Sequence, residues 1–160
     1  MVCKTRRPQK PADDRDFVPD RLRMLDAIER FGVLATQEEG RCYASLVAYA
    51  LTPDLRTVIF ATPKNTRKYK NIVKAEEVAL LVDNRSRPSP VTKAEAITLT
   101  GSAKPLRKGK ERDELAVLYL EKHPDLKEFV ESPSTALVAL RIEQAVHVGN
   151  FQTVTSWQPG

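Results

Sequence analysis

The stretch Phe60 to Asn71, FATPKNTRKYKN, concentrates the residue types that hold an anion. Thr62 ends a β-rich run, Thr66 stands where a short helix begins, and Arg67 and Lys68 fall in what would be its first turn. Cations at a helix N-terminus oppose the helix dipole, so helix stability does not account for them. A phosphate does. Free backbone N–H groups, hydroxyls and two cations converging on one spot would give it several charge-assisted hydrogen bonds. As a bare pattern, the hydroxyl-Arg-Lys run fits a solvated basic helix equally well.

Other chemistries are poorly supplied. Cys3 and Cys42 form no Cys-x-x-Cys pair and His123 and His147 are the only imidazoles, too few ligands for a zinc site or a disulfide framework. Cys42 reads as a small strand residue, and His147, inside an apolar strand, as a structural histidine rather than a catalyst. Residues 62–75 carry five cations and no acid, residues 102–112 a net charge of +4 and residues 1–24 a net charge of +3, within a chain whose total is +5. The two outer clusters read as solvated faces. A non-enzymatic nucleic-acid-binding barrel is an alternative use of these cations. It would lack a stacking platform, because the two densest basic stretches, 62–75 and 102–112, contain just Tyr69 among aromatics.

A chain of 160 residues with 41% hydrophobic and 29% charged residues has the profile of one soluble domain. It has no apolar run of the roughly 18–20 residues that a membrane span needs and no secretory leader at its start, so a cytoplasmic protein is expected. Residues 1–18, rich in Pro and charge, predict a flexible arm, followed by a domain over 19–150 and a tail over 151–160. Asp20 is placed to cap a helix with Leu22, Leu25, Ile28 and Phe31 on its apolar side, ending at Gly32. Gly32–Gln37 and Cys42–Leu51 read as a hairpin whose second strand has no plainly polar face, which predicts cover on both sides. Thr57–Thr62 is a third strand, a short helix runs to Lys74, and Glu77–Asp83 is a fourth strand. A loop over 84–94 precedes a fifth strand, Glu95–Leu106, in which Thr98 and Thr100 stand on a small polar face. A helix over Lys110–Lys122, a short helical turn from Pro124 and a last strand over Thr135–Val148 complete the order. Hairpin-length links favour a mainly β fold, a six-stranded antiparallel split barrel with peripheral helices.

With these elements in place, the sequence resembles the pyridoxamine 5′-phosphate oxidase-like, FMN-binding split-barrel proteins over nearly all of residues 20–148. The family pattern is a strand ending in aromatic-x-Thr, a three-residue spacer, then Ser or Thr followed by Arg-Lys. Phe60, Thr62, Thr66, Arg67 and Lys68 match it at the same spacing. GVLATQEEGRCYASLVAYA before it and EEVALLVDN and AITLTGSAKPL after it match in order and length. The resemblance implies a homodimer with FMN at the subunit interface. Arg67 and Lys68 would hold the phosphate with Thr62 and Thr66. Ser45, Leu46, Val47 and Ala48 would run under the flavin ring and hold its pyrimidine edge through backbone groups. The partner's fifth strand would contribute through the face of Thr98 and Thr100. Lys64 near that edge would favour an anionic reduced flavin, Asn84 is either a flavin contact or a loop cap, and Trp157 is either a lid or a tail aromatic packed on the barrel. Rivals within the fold are the deazaflavin F420 and haem. Oxidases acting on pyridoxamine phosphate carry basic residues where Ser45 and Ala50 stand here, and end in Arg-x-His where this chain reads HVGNFQTVTSWQPG. The cofactor grip is present and the vitamin-substrate grip is absent, so an FMN-dependent oxidoreductase of another substrate is expected.

Overall fold

The computed structural model describes residues 16–160. Helix α1 (Phe17–Ile28) is followed by strands β1 (Phe31–Glu38), β2 (Arg41–Leu51) and β3 (Thr57–Pro63). Then come α2 (Arg67–Lys74), β4 (Glu77–Asp83), β5 (Ala96–Pro105), α3 (Lys110–Lys122), α4 (Lys127–Glu131), β6 (Thr135–Gly149) and β7 (Thr153–Trp157). All strand pairs are antiparallel in the order β3-β2-β1-β4-β5-β6, and β3 also pairs with β6, which closes a six-stranded barrel.

Two apolar layers explain the burial patterns. Inside the barrel, Leu34, Val47, Tyr49, Leu80, Val82, Ile97, Leu99 and Ala145 pack against Val18, Leu22 and Leu25 of α1. Outside it, α3 and α4 lay Leu115, Tyr119 and Val130 on Ala50, Ile59, Leu137 and Ala139. Strand β3 and the first half of β6 are therefore covered on both faces, and their sequences are continuous apolar runs rather than alternating ones. In β5 the alternation is clean, with Ile97, Leu99, Gly101 and Ala103 buried between half-buried Thr98, Thr100 and Ser102. The β5–β6 register shifts at Thr100/Gly101, where a Cβ on Gly101 would lie 1.9 Å from the Arg141 carbonyl oxygen. Only glycine fits there.

Several expectations change. The arm to residue 15 and Cys3 lie outside the described residues, but Phe17 and Val18, assigned to that arm, already belong to α1, and Val18 is fully buried. Asp16 rather than Asp20 holds the cap position, with no side-chain cap bond. Ile28 and Phe31 are exposed: α1 ends at Ile28 rather than at Gly32, and Phe31 is the first residue of β1. The tail is not featureless: β7 pairs with the last five residues of β6, in the place along β6 that β3 has left. The turn between them, Asn150–Gln152, has three consecutive left-handed non-glycine residues, a turn without the glycine that usually announces one. Finally, β2 is covered on both faces only in its second half; Leu46 is 62% exposed.

Candidate functional site

The end of β3 and the start of α2 build a polar corner. Thr62 is buried with its hydroxyl 2.9 Å from that of Thr66. Thr66 is the N-cap of α2: its hydroxyl accepts from the Tyr69 N–H at 3.3 Å and donates to the Pro63 carbonyl at 2.9 Å. The N–H groups of Arg67 and Lys68 have no acceptor among the described residues, and the first turn of α2 contains no acid. The Arg67 guanidinium lies over the Tyr43 ring, 4.7 Å from its centroid, which seats α2 against β2. Further along α2, the buried Asn71 donates to the Thr36 hydroxyl of β1 at 3.0 Å. The corner therefore has two hydroxyls, two uncommitted N–H groups and two cations, and it is anchored from both neighbouring strands.

Next to this corner the barrel is split. Residues 41–48 of β2 pair with β1 on one side, whereas pairing with β3 is confined to Tyr49–Leu51, while β3 pairs with β6 along its whole length. The Tyr49 N–H donates to the Arg30 carbonyl, so odd-numbered residues of β2 turn their backbone groups toward β1 and even-numbered ones turn theirs into the split. The Ala48 carbonyl is met there by the Tyr119 hydroxyl of α3, at 3.2 Å. Burial pushes that phenol's pKa up to about 12, so it stays a hydrogen-bond donor. The N–H and C=O of Leu46 and the N–H of Ala48 face the opening with no strand partner. Within the same segment Val47 points into the core, and the Ser45 hydroxyl is buried with no hydrogen-bond partner among the described residues. An unpaired edge with alternating donor and acceptor, beside a phosphate-type corner, fits a ligand with an amide-like edge and a phosphate tail, which is the donor and acceptor set of FMN.

The remaining expected site residues lie elsewhere. Lys64 is exposed; its N–H donates to the Ser134 carbonyl and its side chain lines the groove between α2 and α4. The Asn84 amide closes the 84–94 loop, donating to the Lys93 carbonyl at 3.1 Å and accepting from the Glu95 N–H at 3.0 Å. Trp157, the last residue of β7, pairs with Ala145 of β6 and packs, partly buried, on the barrel core. Tyr43, Asn71 and Tyr119, which fix the corner and the edge, were absent from the sequence expectations. The available signals were Tyr43 sharing the face of Ser45 at period two and Asn71 following Arg67 at helical spacing.

A closed antiparallel barrel, split along its second strand beside a hydroxyl-and-cation helix start, defines the split-barrel class. Residues 20–149 match the family model of pyridoxamine 5′-phosphate oxidase, and the chain belongs to that family. No curated protein matches it by sequence. Among solved structures it is similar to a heme-binding protein from Mycobacterium smegmatis, with 20% identity and a TM-score of 0.80 over 95% of this chain and 60% of that one. A FAD-binding protein from Mesorhizobium loti shares 14% identity, with a TM-score of 0.65 over 81% and 91% of the two chains. General Stress Protein 26 from Bacillus anthracis shares 13% identity, with a TM-score of 0.64 over 86% and 97%. At these identities the likeness is one of fold.

Proposed function

We propose that the protein is an FMN-binding flavoprotein, an oxidoreductase working as a homodimer with the flavin at the subunit interface. The observation that carries this reading is the free edge of β2 beside the Thr62–Thr66–Arg67 corner. Arg67, Lys68, Thr62 and Thr66 would hold the phosphate, and the backbone of Leu46 and Ala48 would hold the pyrimidine edge. A bound flavin supplies hydride or electron transfer, while the chain binds it, orients it and tunes its potential. Support for a dimer comes from the outer face of β1, β4 and β5, where half-buried Val33, Ala35, Ala79, Leu81 and Thr98 form a small-residue surface. A substrate other than pyridoxamine phosphate is supported by Ser45 and Ala50 on β2, which stand where the oxidases of that substrate carry basic residues.

Haem is the second reading, favoured by the heme-binding neighbour. Against it, both histidines are buried with Nε2 engaged, His123 on the Tyr49 carbonyl and His147 on Glu95, so neither is presented as an axial ligand. Absorbance of the purified full chain separates the two. A yellow protein that releases FMN on denaturation is expected, and Arg67→Ala with Lys68→Ala should weaken FMN binding on the order of a hundredfold. A colourless protein that ignores added FMN, or a double variant that retains it unchanged, overturns the proposal.

A further inference from the structure

A second polar cavity lies at the other end of the barrel. Strand β4 runs from the α2 end at Glu77 to the 84–94 loop at Asp83, which separates the two ends by about 20 Å at strand rise. The cavity has a volume of about 510 Å³ and lies between the start of α1, the 84–94 loop and the end of β6. Its floor is a buried charged cluster. The Arg21 guanidinium of α1 donates to both oxygens of Glu95, each at 2.5 Å, and His147 Nε2 lies 3.0 Å from Glu95 Oε1. Arg21 holds the Glu95 carboxyl below its usual range, so the one acid among the described lining residues is ionised and already paired.

Two further cations line the cavity. Lys93 has no carboxylate in salt-bridge range among the described residues, and Arg87 pairs with the Glu29 carboxylate through Nε alone, at 3.9 Å, with no side-chain hydrogen bond among the described residues. Phe17, set edge-on to the His147 ring at 5.0 Å, gives one apolar wall. The rim carries Asn150, the first of the three left-handed residues of the β6–β7 turn, a strained conformation of the kind that clusters at ligand sites. Gly149 is required beneath it, because a Cβ there would come within 2.8 Å of the His147 ring.

We propose that this cavity binds a small organic carboxylate at a site separate from the flavin site. Arg87 and Lys93 hold the carboxylate and Phe17 packs against its apolar body, over a floor fixed by the Arg21–Glu95–His147 cluster. A carboxylate matches the planar Arg fork, and the cavity volume suits a ligand of drug-like size or smaller. A phosphate ion would leave the apolar wall unused.

Titration calorimetry on the full chain, with and without saturating FMN, tests this with benzoate as probe and inorganic phosphate as comparison. Benzoate should bind equally with and without FMN and more tightly than phosphate. Arg87→Ala with Lys93→Ala should weaken benzoate at least about tenfold, while Lys104→Ala with Arg107→Ala, on the far groove, should leave it unchanged. Amide shifts on adding benzoate should fall on residues 147–150 and not on 62–68. No binding of benzoate, unaltered binding by the loop variant, equal binding of phosphate, or competition with FMN would each overturn the assignment. FMN retention by the Arg87/Lys93 variant is read separately, so failure here leaves the flavin proposal standing or falling on its own result.

Discussion

Away from the Thr62–Lys68 corner, Glu95 is a part-buried carboxylate held in its ionised form. Its side chain is 11% exposed and its acid dissociation is favoured first by the Arg21 hydrogen bonds and then by His147. A carboxyl with its folded pKa lowered stabilises the fold above the unfolded value, near 4.3 for Glu, and loses that contribution as the pH falls through the folded value. Glu95→Gln should therefore cost about 2 kcal/mol in denaturant unfolding at pH 7, less than a fully buried pair because Arg21 keeps 29% exposure. The gap to the parent protein should narrow below about pH 4; a gap that persists unchanged there would show that Glu95 acts through packing. At this scale the sequence was uneven. Residue type narrowed the cap of α2 to Asn65 or Thr66, and Thr66 is the one that takes it. The seat of Arg67 on Tyr43 was not legible, because it joins residues of different elements whose side-chain directions depend on where α2 docks.

At the scale of elements, the β5–β6 pair is the most constrained contact. Alanine at Gly101 would meet the Arg141 carbonyl backbone, which no side-chain rotation relieves, so Gly101→Ala should destabilise the barrel by about 3 kcal/mol, the upper end of overpacking. A melting temperature unchanged by that substitution would mean that the two strands part easily at the bulge. Most elements were legible: Glu77–Asp83 and Lys110–Lys122 have the bounds that their patterns indicate, and β3 ends one residue later than its pattern. Strand β7 was not, for a physical reason. Its TVTSW run is short and follows a turn without glycine or proline, so neither length nor punctuation marked it, and it is stabilised by the vacancy that β3 leaves along β6. The split in β2 was legible only through the family resemblance, because a strand paired on one side has the same alternation as one paired on both.

For the whole molecule, the proposed dimer rests on the outer face of β1, β4 and β5. If it is the dimer surface, Leu81→Arg, which places a charge at its middle opposite Val33 and Thr98, should convert a dimer to monomers in sedimentation and reduce FMN retention with it. A parent protein that sediments as a monomer ends the dimer proposal. The barrel seam has a different consequence. Strands β3 and β6 pair from Thr57↔Arg141 to Pro63↔Thr135, contacts that join positions roughly 70 to 85 residues apart and raise the contact order. During synthesis the chain through β5 can form only an open sheet with unpaired edges. The ring closes only after β6 emerges, and until then the apolar interior is exposed to the machinery that escorts nascent chains.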